Sequence, residues 1–286
     1  MNFVQKTWSY IPVFVRAIIN GVLVALAGIL PWSLMVKLNI AYYPNIPWAV
    51  LANAVYLWFF WKYVRGKGWP RSTSESRRLN CRANALPDSI WGSAVIAGLT
   101  GIAAMVVFQI VYSRLVALPQ QSTQNLLDVP LFTLAPMLLM GAIVAGLVEE
   151  TAYRGYIQGA IERKYGPVTA IIVTGFLFAL VHFNHPEVGV KLIPFYMVIS
   201  IVYGTLTYLT NSIMPAVFLH AGGNMLGVIN LFGRGRSEWQ TGTDAKPLIW
   251  ETGPDASFWL ATFALILLTT ISIWAYAVLG RAVKNS

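Results

Sequence analysis

Runs of apolar residues, each long enough to cross a bilayer, alternate along this chain with short polar connections. A spanning helix needs roughly 20 mostly apolar residues, and the pattern predicts such helices over about 17–38, 47–63, 89–112, 131–150, 167–184, 190–210, 213–232 and 256–279. The fourth is expected to continue as a more polar helical extension to about residue 163. Eight spans make one all-α, polytopic integral membrane domain over residues 1–286, with no internal repeat and no low-complexity tract. The first segment resembles a signal peptide in having Lys6 and Arg16 before INGVLVALAGIL. Its leading stretch is long for that role and apolar residues continue to Leu38, so it reads as a retained span.

Composition narrows the class further. Charged residues make up 11% of the chain, against roughly 25% in an average soluble domain. Trp48, Trp58, Trp61, Trp91, Trp250, Trp259 and Trp274 fall near the ends of apolar runs, where amphipathic rings collect at membrane interfaces. The net charge of +9 is not spread as a nucleic-acid-binding face, and no nucleic-acid partner is expected. Lys62, Arg65, Lys67, Arg71, Arg77, Arg78 and Arg82 concentrate in one connection, which reads as a cytoplasmic topology signal. Two spans precede it, so both termini are expected on the cytoplasmic side. The same alternation places Arg163, Lys164 and the turn at Asn211 inside, and the loop from 233 to 255 outside. Cys81 is the only cysteine, which excludes an internal disulfide and a cysteine-rich metal site.

Ionisable side chains inside spans are expensive and mark function by default. Glu149 and Glu150 follow an apolar run in GLVEETAYRGY, with Arg154 four residues beyond Glu150. That spacing sets Glu150 and Arg154 on one helical face, suited to an ion pair. Glu149 lies about 100° around the helix and faces a less compensated environment. His182 in GFLFALVHF and His220 in MPAVFLHAGGNML lie inside apolar segments, with Phe178 one turn before His182 and Asn224 one turn after His220. His185, in FNHPE, reads as interfacial. Ala221, Gly222 and Gly223 would let a helix or a substrate backbone come close. Depth supports a common site. Glu149 and His182 each stand about 16 residues from a hairpin tip near Tyr165 and Gly166, roughly 25 Å away. His220 lies about 9 residues past Asn211, roughly 13 Å. All three can meet if the tip projects about two or three turns past the membrane surface.

Three motifs, EETAYR at 149–154, FALVH at 178–182 and HAGGN at 220–224, resemble the CPBP family of CAAX prenyl protease and bacteriocin-processing (Abi) intramembrane endopeptidases. The resemblance covers roughly residues 131–232, the expected catalytic core, with helices 4, 5 and 7 carrying the motifs. It implies that Glu149 and His182 activate a water molecule, that His220 and Asn224 stabilise a tetrahedral oxyanion, and that Glu150, Arg154 and Phe178 support them. Glu149, His182 and His220 are also candidate zinc ligands, but no local metal signature such as HExxH occurs, so a mechanism requiring no cofactor is favoured. The expected partners are the bilayer and a membrane-bound or lipidated protein or peptide, and the expected setting is a prokaryotic plasma membrane. The alternatives are a non-catalytic membrane scaffold or bacteriocin self-immunity protein, and a proton-coupled transporter. Oligomeric state is not legible in the sequence.

Overall fold

Proline opens most of the long helices, where its missing N–H falls among the amides that a helix start leaves unpaired anyway. The computed structural model describes residues 8, 10–118, 129–182, 186–234 and 247–286. Helix α1 (Val13–Tyr42) follows Pro12, α2 (Trp48–Val64) follows Pro47, α4 (Asp88–Leu115) follows Pro87 and α5 (Leu131–Glu149) follows Pro130. Between α2 and α4 the basic connection carries the short α3 (Ser74–Cys81). Beyond α5 the helix runs on without a break through a π-helical segment, Glu150–Gln158, into α6 (Gly159–Tyr165). Gly166, at φ +82°, makes the hairpin turn, and Pro167 starts α7 (Pro167–Val181). The fold is completed by α8 (Pro186–Thr210), α9 (Met214–Arg234), the short α10 (Ile249–Thr252) and α11 (Ala256–Lys284). There is no strand among the described residues.

Each expected span is a helix, but not all are long enough to cross a membrane unaided. Five are, by length and apolarity: Val13–Tyr42, Asp88–Leu115, Leu131–Tyr165, Gly189–Thr210 and Ala256–Lys284. At 17 residues α2 falls just short, and α7 with Met214–Ile229 of α9 are shorter apolar helices. Leu30, Leu51, Leu260 and Phe263 are more than half exposed, an inside-out distribution that lipid, not water, covers. His185 lies outside the described residues.

Spans that carry no motif hold the motif helix through close glycine contacts. A Cβ on Gly21 would fall 2.2 Å from Ile157, and one on Gly28 would fall 2.4 Å from Val148. Two turns apart on α1, these glycines form a flat face against α5 and the π segment. On the other side Gly146 meets α9 backbone to backbone, its added Cβ lying 2.7 Å from Ala221 N. A side chain at Gly146 would push apart the two helices that carry Glu149, Glu150 and His220.

One end of the bundle is latched by the basic connection. Arg82 donates to both Glu162 oxygens at 3.1 and 3.2 Å and to Asn211 Oδ1 at 3.3 Å, while Asn84 Nδ2 donates to Asn211 O. Arg163 donates to Asn80 Oδ1. Three connections predicted to share a membrane face are therefore tied to one another. At the other end Arg114 bonds Asp255 and Pro247 O, and Trp250 bonds Leu115 O. The latch also holds the α6–α7 hairpin close to the Asn211 turn. Because one guanidinium reaches both Glu162 and Asn211, the tip at Tyr165 stands only about one turn beyond the Asn211 turn. Twelve residues from Glu162 back to Glu150 cover roughly the depth that nine cover from Asn211 to His220. The π segment closes its hydrogen bonds over five residues, so it advances less along its axis per residue than an α-helix.

The latch encloses Cys81, which is fully buried and whose thiol is pushed up to about 12 by burial. A thiol protonated at neutral pH is a poor nucleophile. N-ethylmaleimide should therefore leave Cys81 unlabelled in the folded protein at pH 7.5, while Arg82→Ala should label at least about tenfold faster as the latch opens. Equal labelling of the two proteins, read by intact mass, would show that Arg82 does not hold this segment.

Candidate active site

The π segment, Glu150–Gln158, is buried along its whole length, although it contains a glutamate, an arginine and a glutamine. Burying such groups is tolerated only when they are paired. Arg154 Nη1 lies 3.2 Å from Glu150 Oε1, and both side chains are fully buried. The same Oε1 accepts from His220 Nδ1 at 2.8 Å. Arg154 Nη2 donates to Ser200 Oγ at 3.2 Å, and its guanidinium stacks 4.7 Å from the Phe178 ring. Gln158 donates to Gly204 O. The Glu150–Arg154 pair is close in charge but poorly aligned: Glu150 Oε2 and Arg154 Nε and Nη1 have no hydrogen-bond partner. Buried polar atoms left in this state are rare, and they gather where chemistry is done.

Glu149 differs from its neighbour in what it can reach. Its side chain is 17% exposed, and its Oε2 lies 3.9 Å from His220 Nε2. That gap is too long for a hydrogen bond and short enough for one oxygen atom to bridge. Because a carboxylate only accepts, His220 Nδ1 carries a proton towards Glu150. Nε2 then faces Glu149, and it can donate only when the ring is the imidazolium. Tyr203 stacks on the His220 ring, with centroids 5.4 Å apart and planes at 13°. Asn224, one turn along α9, is half-buried. Beside it, a Cβ added to Gly222 or Gly223 would meet nothing within 4 Å, so open space lies along this face of the helix.

His182 belongs to an adjoining aromatic cluster. Its Nδ1 bonds Phe178 O at 2.7 Å, so that nitrogen is the protonated one and Nε2 is left free to accept. The ring stacks on Tyr196 at 4.2 Å and lies 4.7 Å from Phe178. Phe178 packs edge-on against Tyr153 at 5.0 Å and under Arg154. His182 thus adjoins the motif helix through Phe178, and no hydrogen bond or ion pair links it to Glu149. Sequence spacing brought Glu149, Glu150, Arg154 and His220 to one place, with Asn224 one turn along α9; it joined His182 to them only through rings. Ser200, Tyr196 and Tyr203 were missed altogether. All three line one side of α8, and Tyr196 and Tyr203 stand seven residues apart, a two-turn repeat that could have marked them.

The metal reading can be tested against these contacts. Among the described residues no three of His, Cys, Asp and Glu are grouped as a metal would require. His220 Nδ1 is taken by Glu150, and His182 has no contact with either carboxylate. These contacts leave Nε2 of His220 facing Glu149 and Nε2 of His182 open, and they do not join His182 to the other two.

Removing one partner of a buried pair leaves an uncompensated charge, at a cost of about 3–5 kcal/mol. Arg154→Met should therefore lower the melting temperature in detergent sharply, and Arg154→Met with Glu150→Gln should recover part of that loss. A double variant no more stable than the single one would show that Glu150 is not the charge that Arg154 neutralises.

Residues 131–226 match the family described as Type II CAAX prenyl endopeptidase Rce1-like. The matched stretch starts where the sequence places the catalytic core and holds EETAYR, FALVH and HAGGN complete. No curated protein and no solved structure matches the chain. Within the helical, membrane-compatible architecture, residues 131–226 are thus similar to an Rce1-like type II CAAX prenyl endopeptidase domain, consistent with the family that the three motifs resemble.

Proposed function

We propose that the protein hydrolyses a peptide bond of a membrane-associated protein or peptide, with Glu149 as general base. The observation that carries this reading is the unequal state of two adjacent carboxylates. Glu150 is sealed and shares one oxygen between Arg154 and His220, whereas Glu149 is partly open and faces His220 Nε2 across 3.9 Å. A base must reach the proton that it abstracts, and only Glu149 can.

In this scheme a water molecule sits between Glu149 and the substrate carbonyl, with the free Nε2 of His182 as its second partner once the peptide is bound. Catalytic hydrogen bonds often tighten only in the substrate complex. Glu149 takes a proton from the water as its oxygen attacks the carbonyl carbon. The carbonyl oxygen becomes an oxyanion that accepts from His220 Nε2–H and Asn224 Nδ2–H, donors fixed before the reaction begins. Glu150 holds His220 in the orientation and protonation state that donation requires. When the intermediate collapses, the C–N bond breaks and the proton on Glu149 passes to the leaving amine, restoring the carboxylate. The substrate backbone enters along the open face at Gly222 and Gly223, where no side chain obstructs it. The positive-inside bias of the basic connection supports a cytoplasmic setting for the latched end of the bundle.

Loss of a general base slows a reaction by about 10²–10⁴-fold. Glu149→Gln should therefore cut turnover by at least about 10²-fold with an unchanged melting temperature, and comparative membrane proteomics should show a terminus that only the wild type generates. Dialysis of the wild type against a chelator should leave cleavage intact. Full turnover in purified Glu149→Gln would sink the base assignment, and chelator-sensitive turnover restored by zinc would sink the metal-free scheme.

A further inference from the structure

Outside the catalytic cluster, α1, α2 and the basic connection enclose a cavity of about 670 Å³. Its two ends differ in chemistry. Thr73, Ser76 and Asn80 line the end formed by the connection, while Leu23, Ala27 and Phe59 line the part that runs between α1 and α2. Leu23 and Phe59 are each 59% exposed, and Tyr63 is 45% exposed, so the apolar part opens sideways, towards lipid.

The polar end lies in a strongly positive region. Of the seven cations between Lys62 and Arg82, Arg78 is taken by Glu75, the only acid in that stretch, and Arg82 by Glu162. Arg77, in the cavity wall, is buried, yet its guanidinium bonds only neutral groups: Thr73 Oγ1 and the carbonyls of Tyr63, Lys67, Gly68 and Pro70. Lys62, Arg65, Lys67 and Arg71 likewise have no carboxylate within ion-pair distance among the described residues. Lys62 sits 3.3 Å over the ring of Trp58, which is 52% exposed, an arrangement typical of a membrane interface. One more group has no structural use. Asn20 is a polar side chain in the apolar α1; it lines the cavity and makes no hydrogen bond to the described residues.

We propose that this cavity binds an anionic phospholipid. The phosphate is held by the Ser76 hydroxyl and the Asn80 amide, under the field of Arg77 and its neighbouring cations. The start of an acyl chain follows Leu23, Ala27 and Phe59, and Asn20 bonds the glycerol ester region between the two. Basic pockets between helices on the cytoplasmic side favour such headgroups. A soluble anion would leave the apolar half uncovered, and a zwitterionic lipid would leave the positive field unanswered. The proposal does not depend on the peptidase reading, because no lining residue belongs to the catalytic cluster.

The test uses the purified full-length protein, stripped of lipid in detergent and titrated by native mass spectrometry with dioleoylphosphatidylglycerol, dioleoylphosphatidylcholine or inorganic phosphate. The anionic lipid should bind at least about tenfold more tightly than the zwitterionic one, a difference of about 1.4 kcal/mol. Asn20→Leu combined with Ser76→Ala, which removes groups that bond the shared phosphate and ester region, should weaken phosphatidylglycerol binding by about tenfold, and Ala27→Trp, which fills the apolar half, should weaken both lipids by about tenfold. Equal affinity for the two lipids in the wild type would overturn the proposal. So would unchanged phosphatidylglycerol binding in a folded Ala27→Trp or in the double variant, and so would displacement of the lipid by millimolar phosphate alone, which would mark a small-anion site instead.

Discussion

The site depends on one carboxylate oxygen. Glu150 Oε1 is the meeting point of Arg154 and His220, and no water reaches it from outside. A glutamate, an arginine and a histidine contributed by two different helices can be buried together only if their charges offset one another. That requirement fixes the rotation of the motif helix about its axis, and with it the direction of Glu149, which points out of the pair towards the free nitrogen of His220. The supporting carboxylate is thus a structural residue whose effect is chemical: it settles which nitrogen of His220 is committed and which is available.

The rest of the bundle serves this contact. Gly146 lets α5 approach α9 closely enough for Glu150 to reach His220, and Gly21 and Gly28 let α1 press on the opposite side. Small residues perform this role in membranes because lipid supplies no hydrophobic drive for helix association, so close packing must do it. α8 contributes Ser200 and Gly204 as polar receptors for Arg154 and Gln158, and Tyr203 as a plate on which His220 rests. The first three spans and the basic connection carry no catalytic motif. Their contribution is to brace the motif helix from α1 and to latch its far end through Arg82.

How much of this could be read from the chain follows from the range of each interaction. Apolar runs locate helices because a membrane leaves no other way to pair the backbone of a long apolar segment. The Glu150–Arg154 contact was legible because it is local, four residues apart on one helix. Glu149 and Glu150 could be told apart because neighbouring positions face different directions. Non-local features were hidden. Nothing in ETAYRGYIQ announces a π-helical segment. Arg82 looked like one more topology charge, although it bonds residues about 80 and 129 positions away. His182 was expected beside Glu149, but depth along a span leaves open which neighbour a ring turns to; here it turns to Tyr196 and Phe178.

The most direct measurement is a structure of the protein with a peptide phosphonate, whose tetrahedral phosphorus imitates the hydrated scissile carbon. The account predicts one phosphonate oxygen within about 3 Å of both His220 Nε2 and Asn224 Nδ2, and a second oxygen against Glu149, with Glu150 still bound to Arg154 and His220. A phosphonate seated on Glu150, or one that touches His182 while Glu149 faces away, would contradict it.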